Sequence, residues 1–345
     1  MTKKIIRRVT GILKKITPRA ISQNFFIFLL ASKTKKEGKF YTVHSRPKLS
    51  SSVMVRIVTS PLPPIAIVMQ GPIMLNEEFT YETAKLYKKF WPEAILILST
   101  WRGEDENSIQ KIRKLGWHVL ENDKPAFPGH RNINFQLTST LVGLQYAKKL
   151  GAEYVIKTRV DQRIYNPNTP QLFTHLDNLY PPDKNSSQTR RLFLPNLDTA
   201  KYRPYGVGDM LMFGHIDDMV TYWGTAHDER TIPVKDYTIL ELAKQRTVEG
   251  YLGTEYLRVM GEDLLYTLDH SWEMFGKYFC VFDHALLDLF WLKYDTHLEF
   301  RFHHYDKTHA HEVMTFAEWT MCYDKSYDAS TLPEEILNIQ DAGHL

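Results

Sequence analysis

The sharpest chemical feature of the sequence is the run 157–163, in which Asp161 is flanked by Arg159 and Arg163. It overlaps the end of an apolar run that predicts a buried strand over 154–158. A carboxylate at a strand end can hold Mg²⁺ or Mn²⁺, which prefer oxygen ligands and can bridge a nucleotide diphosphate. Arginines can neutralise the same phosphates directly, as planar bidentate donors. An ordinary surface ion pair between Asp161 and an arginine explains the spacing about as well.

Polar and aromatic residues also stand at the ends of two other predicted strands. The strands are 65–70 and 94–99, and the residues at their ends are Gln70, Gly71, Thr100 and Trp101. In an open parallel sheet, ligands bind at the carboxyl ends of the strands. These residues are therefore predicted to share one site with Asp161, and the set suits a nucleotide with a phosphate tail. For any single residue, ordinary loop polarity is an equal explanation.

Several enzyme classes lack their motifs in this chain. No Gly-x-Gly-x-x-Gly follows the first strand and no Gly-Lys-Ser/Thr loop occurs, which counts against a dinucleotide dehydrogenase and a P-loop kinase. Neither a His-Glu-x-x-His helix nor a Gly-x-Ser-x-Gly elbow occurs. The two cysteines, Cys280 and Cys322, are too few for a disulfide scaffold or a structural zinc site.

The elements that must position these residues alternate regularly. Apolar runs predict strands at 65–70, 94–99, 117–120 and 154–158, and helical periodicity predicts helices at 80–90, 108–115 and 132–150. Such alternation is typical of a parallel sheet covered on both faces. Further strands are predicted at 191–195 and 210–213, and a mostly helical stretch from Tyr237 to about Leu298. We therefore predict one α/β domain with a helical C-terminal extension.

Charge is concentrated at the N-terminus. Residues 1–40 carry eleven Lys and Arg against one Glu, a net charge of +10, so the chain total of +3 leaves −7 for the rest. An acidic body counts against a nucleic-acid partner. The apolar residues Ile5, Ile6, Val9, Ile12, Leu13 and Ile16 have helical spacing, which predicts a basic amphipathic helix. We expect it to lie on an anionic membrane surface, with packing on the body as the alternative. The apolar run 25–31 is too short to cross a bilayer.

Several segments between about residues 65 and 258 are similar, in the same order, to a known family. They are 68–73, 82–83 with 86–87, 99–101, 132–140, 154–163, 209–214 and, more weakly, 255–257. Together they resemble the WavE lipopolysaccharide-synthesis family. The resemblance implies a GT-A-like nucleotide-binding α/β sandwich with a mostly parallel sheet. It also implies a glycosyltransferase that moves a sugar from a nucleotide-sugar donor to a lipopolysaccharide or surface-polysaccharide acceptor, either a glycan or a lipid-linked glycan.

The resemblance also implies roles for individual residues. The nucleotide-sugar would be bound by Gln70, Gly71, Thr100, Trp101, Asn134, Arg159, Asp161 and Arg163. Asp161 stands in the second acidic position of the usual Asp-x-Asp motif, where it would bind Mn²⁺ or Mg²⁺. The first acidic position is Arg159 in this chain, so a diphosphate neutralised by arginine is an alternative. Asp209 and Glu255 are the candidate catalytic bases; either can instead be a structural acid, and for Glu255, on a predicted helix, that explanation is the stronger one.

These interpretations predict the following organisation. Residues 1–40 form a basic segment, 41–64 a linker, 65–320 the catalytic domain with its helical part, and 321–345 a tail. The enzyme is expected in the cytoplasm, peripherally attached to the inner membrane. Two other functions stay open, a nucleotidyltransferase and a non-catalytic, membrane-associated carbohydrate-binding protein.

Overall fold

The computed structural model describes residues 19–37, 44–55, 61–233, 235–246, 248–295 and 312–340. The chain divides into two compact units, residues 1–47 and 48–345. In the first unit, helix α1 (Arg19–Glu37) exposes Phe25, Phe28 and Leu29. Among the described helices, none is both long and apolar enough to cross a membrane. The apolar stripe from Ile5 to Ile16 lies outside the described residues, so its amphipathic helix stays a prediction.

The second unit alternates strands and helices in its first half. Its strands are β1 (Ile65–Gln70), β2 (Ile95–Trp101), β3 (His118–Asn122), β4 (Tyr154–Arg159), β5 (Gln162–Ile164), β6 (Leu192–Pro195), β7 (Met212–His215), β8 (Phe279–Phe282) and β9 (Leu289–Trp291). Its helices are α2 (Phe79–Phe90), α3 (Glu106–Lys114), α4 (Ile133–Lys149), α5 (Thr169–Leu179), α6 (Ile216–Trp223), α7 (Ile239–Gln245), α8 (Val248–Val259), α9 (Leu268–Tyr278), α10 (Leu292–Asp295) and α11 (Phe316–Asp324).

Seven strands form one mixed sheet in the order β3-β2-β1-β4-β7-β6-β8. Strands β1 to β4 are mutually parallel, β7 is antiparallel to both β4 and β6, and β6 is parallel to β8. The chain adds β2 and β3 on one side of β1 and then places β4 on the other side. The strand order therefore reverses between β1 and β4. The predicted α/β class with a mostly parallel sheet is confirmed.

Strand β1 is buried along its whole length because helices cover both faces of the sheet. Right-handed crossovers place α2 and α4 on opposite faces, since the connection from β1 to β2 and that from β3 to β4 run in opposite directions. On the α4 face, Gly143 allows the helix to come close to the sheet. A Cβ atom on Gly143 would lie 2.5 Å from Cγ1 of Val68. The α4 helix thus sits directly above β1 and β2.

The C-terminal part is mostly helical, as expected, but it contains two short strands that the sequence analysis did not predict. Strand β8 follows α9 without a break and extends the large sheet beside β6. Strand β9 pairs antiparallel with β5, which begins one residue after Asp161. Runs of three or four apolar residues carry too little periodicity to distinguish a strand from the end of a helix. This pairing brings Trp291 to the end of β4.

Candidate active site

The carboxyl ends of β1 and β4 are adjacent, and the chain leaves both of them by tight turns. Gln70 is aligned with Ser99 and with Arg159 across the sheet. Its side-chain Oε1 accepts a hydrogen bond of 2.8 Å from Ser139 Oγ of α4, and its carbonyl oxygen accepts one from the Val160 amide. Predicted site residues Gln70, Arg159 and Asp161 therefore lie at one end of the sheet.

Gly71 makes the turn after β1 possible. Its φ of +116° is a conformation that L side chains rarely adopt, and its amide donates to the Ser99 carbonyl oxygen at 3.1 Å. A Cβ atom at this position would also lie 3.2 Å from Cγ2 of Val160. The backbones that follow β1 and β4 can approach each other this closely because residue 71 is a glycine.

Asp161 is held by two partners, which we call the Asp161 clamp: the guanidinium of Arg159 and the indole of Trp291. Arg159 donates from Nε to Oδ1 at 2.9 Å and from Nη2 to Oδ2 at 3.0 Å. Trp291 Nε1 donates to Oδ2 at 3.0 Å. Burial by itself would raise the pKa of Asp161, but the hydrogen bonds and charge of Arg159, with the bond from Trp291, bring this pKa below its usual value. The carboxylate is therefore ionised and fully engaged at neutral pH.

The side chains around Asp161 do not fit a divalent cation. Both carboxylate oxygens already accept hydrogen bonds from cationic or neutral donors, and Asp161 is only 6% exposed. In the described part of the chain, no group of three or more His, Cys, Asp or Glu is arranged to hold a metal ion. Mg²⁺ and Mn²⁺ need several oxygen ligands. The predicted cation at Asp161 therefore has no support from the donor set around it.

A glutamine connects Arg159 with Asp209. Arg159 Nη1 lies 3.4 Å from Gln136 Oε1, and Gln136 Nε2 donates to Oδ2 of Asp209. Asp209 is 1% exposed, and its Oδ1 has no hydrogen-bond partner among the described residues. A buried carboxylate oxygen without a partner is costly. Asp209 thus has one buried acceptor position that no described residue fills.

Lys157 of β4 contacts the Asp209 end of this network and is fully buried. Its ammonium donates to the backbone oxygen of Asp209 at 2.5 Å and lies 4.3 Å from the centre of the Trp223 ring. Burial lowers the pKa of Lys157 to about 7; the negative charge of Asp209 opposes this shift, and the positive charge of Arg159 adds to it. Lys157 belongs to the charged run 157–163, but the sequence alone assigns it no role.

Glu249, at the start of α8, lies near Asp209, which no pattern in the sequence predicts. Burial, followed by the nearby charge of Asp209, raises the pKa of Glu249 to about 7, and Arg203 opposes the shift. The Glu249 side chain is half-buried. Tyr222 is buried close by, and its hydroxyl has no hydrogen-bond partner among the described residues. The pKa of Tyr222 is raised by burial and then by the charges of Asp209 and Glu249. No sequence motif marks Glu249; only tertiary packing brings it to Asp209.

Two predicted binding residues are engaged elsewhere. Arg163 donates to Thr83 Oγ1 at 2.9 Å and to the Phe79 and Lys48 carbonyl oxygens at 2.9 and 2.7 Å, so its guanidinium faces α2. The Asn134 amide donates to the carbonyl oxygens of Phe127 and Asp228 and accepts from the Asp228 amide. Arg163 and Asn134 therefore join loops and helices in this structure. Neither is brought to the Asp161 clamp.

Thr100 and Trp101 lie on opposite faces of the sheet. Both lie within β2, because this strand ends two residues later than predicted. Since Ser99 is aligned with Gln70 and strand residues alternate, Trp101 faces α4 with Gln70, whereas Thr100 faces the opposite side. Trp101 packs edge-on against Phe135 of α4.

Glu255 is surrounded by arginines. It accepts hydrogen bonds from Arg246 Nη1 and, at 2.6 Å, from Arg258 Nη1. Burial raises the pKa of Glu255, while Arg230 lowers it. The ion pairs explain Glu255 as a structural acid. Of the two predicted bases, Asp209 is the one joined to Arg159.

Comparisons with known proteins identify one family and several solved structures of low similarity. A family model described as WavE lipopolysaccharide synthesis matches residues 65–334. No curated protein matches the chain in sequence. A solved structure assigned as a nucleotide-diphospho-sugar transferase from Desulfovibrio desulfuricans G20 is 10% identical, with a TM-score of 0.33, over 58% of this chain and 78% of that one. A glycosyltransferase involved in glycosylating the major capsid of PBCV-1 is 15% identical, with a TM-score of 0.27, over 47% and 66%. Likenesses this distant establish no activity.

Proposed function

The chain belongs to the WavE lipopolysaccharide synthesis family, and on that premise we propose that it is a GT-A-like glycosyltransferase. It transfers a sugar from a nucleotide-sugar donor to a lipopolysaccharide or surface-polysaccharide acceptor. The observation that carries this proposal is the meeting of Gln70, Arg159 and Asp161 at the carboxyl ends of β1 and β4, where the strand order reverses. Such a reversal creates the crevice in which open α/β sheets bind nucleotides.

The chemistry of sugar transfer needs two things from the protein. Negative charge develops on the departing diphosphate, and a fixed cation at that position stabilises the transition state. In our proposal Arg159 is that cation. The acceptor hydroxyl must also lose a proton to a base within hydrogen-bond reach. Asp209 has that role: its Oδ1 lacks a partner among the described residues, and its Oδ2 is fixed by Gln136.

The proposed location follows from where the substrates occur. Nucleotide-sugars are cytoplasmic, whereas a lipid-linked glycan lies at the membrane surface. The net charge of +10 on residues 1–40 supports attachment of the chain to the anionic cytoplasmic face of the inner membrane. The exposed Phe25, Phe28 and Leu29 of α1 add apolar surface that suits the same interface.

The test is turnover of defined donors by the full-length chain. We expect it to release a nucleoside diphosphate from at least one nucleotide-sugar, and faster when isolated lipopolysaccharide precursors are added. Exchange between a nucleoside triphosphate and a sugar 1-phosphate would instead identify a nucleotidyltransferase. Glycan binding without turnover of any donor would identify a carbohydrate-binding protein, and the proposal would then be wrong.

A further inference from the structure

At the end of β4 the charged group that solvent reaches is a guanidinium, not a carboxylate. The Arg159 side chain is 24% exposed, whereas the Asp161 side chain is 9% exposed. Trp291 is buried, donates to Oδ2 of Asp161 beside the bond from Arg159, and has the Arg159 guanidinium 5.5 Å from the centre of its ring. An anionic ligand that enters here therefore meets Arg159 first.

We infer that the site binds the diphosphate of its donor directly through Arg159, without a divalent cation, and that Asp161 and Trp291 are positioning residues for that guanidinium. This inference rests on the proposed function, because the diphosphate is part of the nucleotide-sugar. Arginine suits the task, since its planar guanidinium keeps its charge at all physiological pH values and carries five N–H donors, of which Asp161 takes two.

The geometry opposes a cation in the same place. A metal ion bound to Asp161 would have to displace the hydrogen bonds from Arg159 and Trp291, which take both carboxylate oxygens. It would also sit beside a permanent positive charge that is already ion-paired with this carboxylate. Lys157, buried two residues earlier on β4, adds a second positive charge whenever it is protonated. Like charges so close together in a poorly solvated site repel each other strongly.

The first experiment separates this inference from the proposed function. Full-length protein is titrated with UDP, GDP, CDP, dTDP and ADP by calorimetry, first in EDTA and then in MnCl₂. We expect at least one of them to bind with the same Kd in both buffers. Binding that occurs only with Mn²⁺ would overturn the inference and leave the proposed function standing. Failure of every nucleotide in both buffers would overturn both.

The second experiment assigns the residues. Arg159→Met should weaken binding of that nucleoside diphosphate in EDTA about 10- to 100-fold, the value of hydrogen bonds to a charged group. Arg113→Met is the matched control, because Arg113 pairs with Glu121 on the surface of α3, and we expect no change in Kd. An unchanged Kd for the Arg159 variant would overturn the inference.

The positioning role has its own readout. Trp291→Phe keeps an aromatic ring but removes the indole N–H, so it should weaken binding of the nucleoside diphosphate and leave binding of the corresponding nucleoside unchanged. Equal loss for both ligands would show a merely structural role. Asp161→Asn is the second variant, and both are checked for folding by thermal melting. A loss in Asp161→Asn that is seen only in MnCl₂ would make Asp161 a metal ligand and overturn the inference.

Discussion

At the scale of single residues, the surroundings of Asp209 support its proposed role as the base. Its two carboxylate oxygens differ: Oδ2 accepts from Gln136, whereas Oδ1 is buried with no partner among the described residues. In our proposal the acceptor hydroxyl enters this buried position and gives its proton to Oδ1. Asparagine at position 209 keeps the shape of the side chain but can no longer act as a base.

We therefore expect Asp209→Asn to lower sugar transfer about 10²- to 10⁴-fold, the usual contribution of a general base. The Kd for the nucleoside diphosphate should change little, because in our proposal Arg159, and not Asp209, binds the phosphates. Steady-state kinetics and calorimetry together check both statements. Asp217→Asn is the control, since Asp217 is half exposed and pairs with Lys148 on the surface. If Glu255→Gln loses activity while Asp209→Asn keeps it, the roles of the two predicted bases are reversed.

Glu249 gives the molecule a measurable dependence of stability on pH. Its pKa is raised from 4.5 in the unfolded chain to about 7 in the folded protein. Between these values the folded state binds more protons than the unfolded state, so the free energy of unfolding falls as pH rises and stays lowered above pH 7. Glutamine does not titrate, so Glu249→Gln removes this loss.

We expect Glu249→Gln to be more stable than the wild type by about 1–3 kcal/mol near pH 8, and of similar stability near pH 4. Urea denaturation at several pH values measures the difference. In an Asp209→Asn background the gain should be smaller, because the charge of Asp209 contributes to the shift. A difference between wild type and variant that is independent of pH would contradict the prediction.

At the scale of elements, the site depends on how closely α4 lies to the sheet, because Gln136 and Ser139 both extend from this helix to the strand ends. Gly143 sets that distance. An added Cβ atom would lie 2.5 Å from Val68 Cγ1, and Val68 is β-branched and confined within β1. Either the helix or the strand must move to accept a methyl group there.

We expect Gly143→Ala to destabilise the protein by about 1–2 kcal/mol, the cost of overpacking less the gain in helix propensity. Urea denaturation gives the value. Gly250→Ala is the matched control, because Gly250 also lies in a helix and its added Cβ atom meets nothing within 4 Å. Replacement there should be neutral or stabilising. Equal effects at positions 143 and 250 would show that close approach to β1 is unimportant.

Local patterning predicts the first half of the fold well, for a physical reason. Strand β1 was predicted with its observed bounds, and α4 with an error of one residue at each end, because buried strands and covering helices have strong periodicity. Strands β8 and β9 carry no such signal. Trp291 donates to Asp161 across 130 residues of sequence, and Glu249 comes near Asp209 only through packing. These parts of the site depend on tertiary structure, which no local pattern contains.

At the scale of the whole molecule, the N-terminal segment and the rest of the chain carry net charges of opposite sign. Residues 1–40 carry +10, and residues 41–345 carry −7. An anionic leaflet therefore attracts the N-terminal segment and repels the rest. If the enzyme works at a membrane surface, the N-terminal segment has to supply the attachment. Each basic residue near such a surface contributes about 1 kcal/mol, and the effect falls off within a Debye length of about 8 Å at physiological ionic strength.

This argument predicts that full-length protein floats with anionic liposomes at low salt, and that added salt releases much of it. Deletion of residues 1–40 should abolish flotation, because the remaining chain is acidic. Neutral liposomes are the control, and they should retain little protein, since without lipid charge only the apolar residues contribute to binding.

A helix docked on the protein body predicts no membrane affinity at all. Full-length protein that stays in the soluble fraction at low salt, or a truncated chain that floats equally well, would show that residues 1–40 are not the attachment. Nucleotide binding by the truncated chain should be unchanged, because Gln70, Arg159 and Asp161 all lie in the unit formed by residues 48–345.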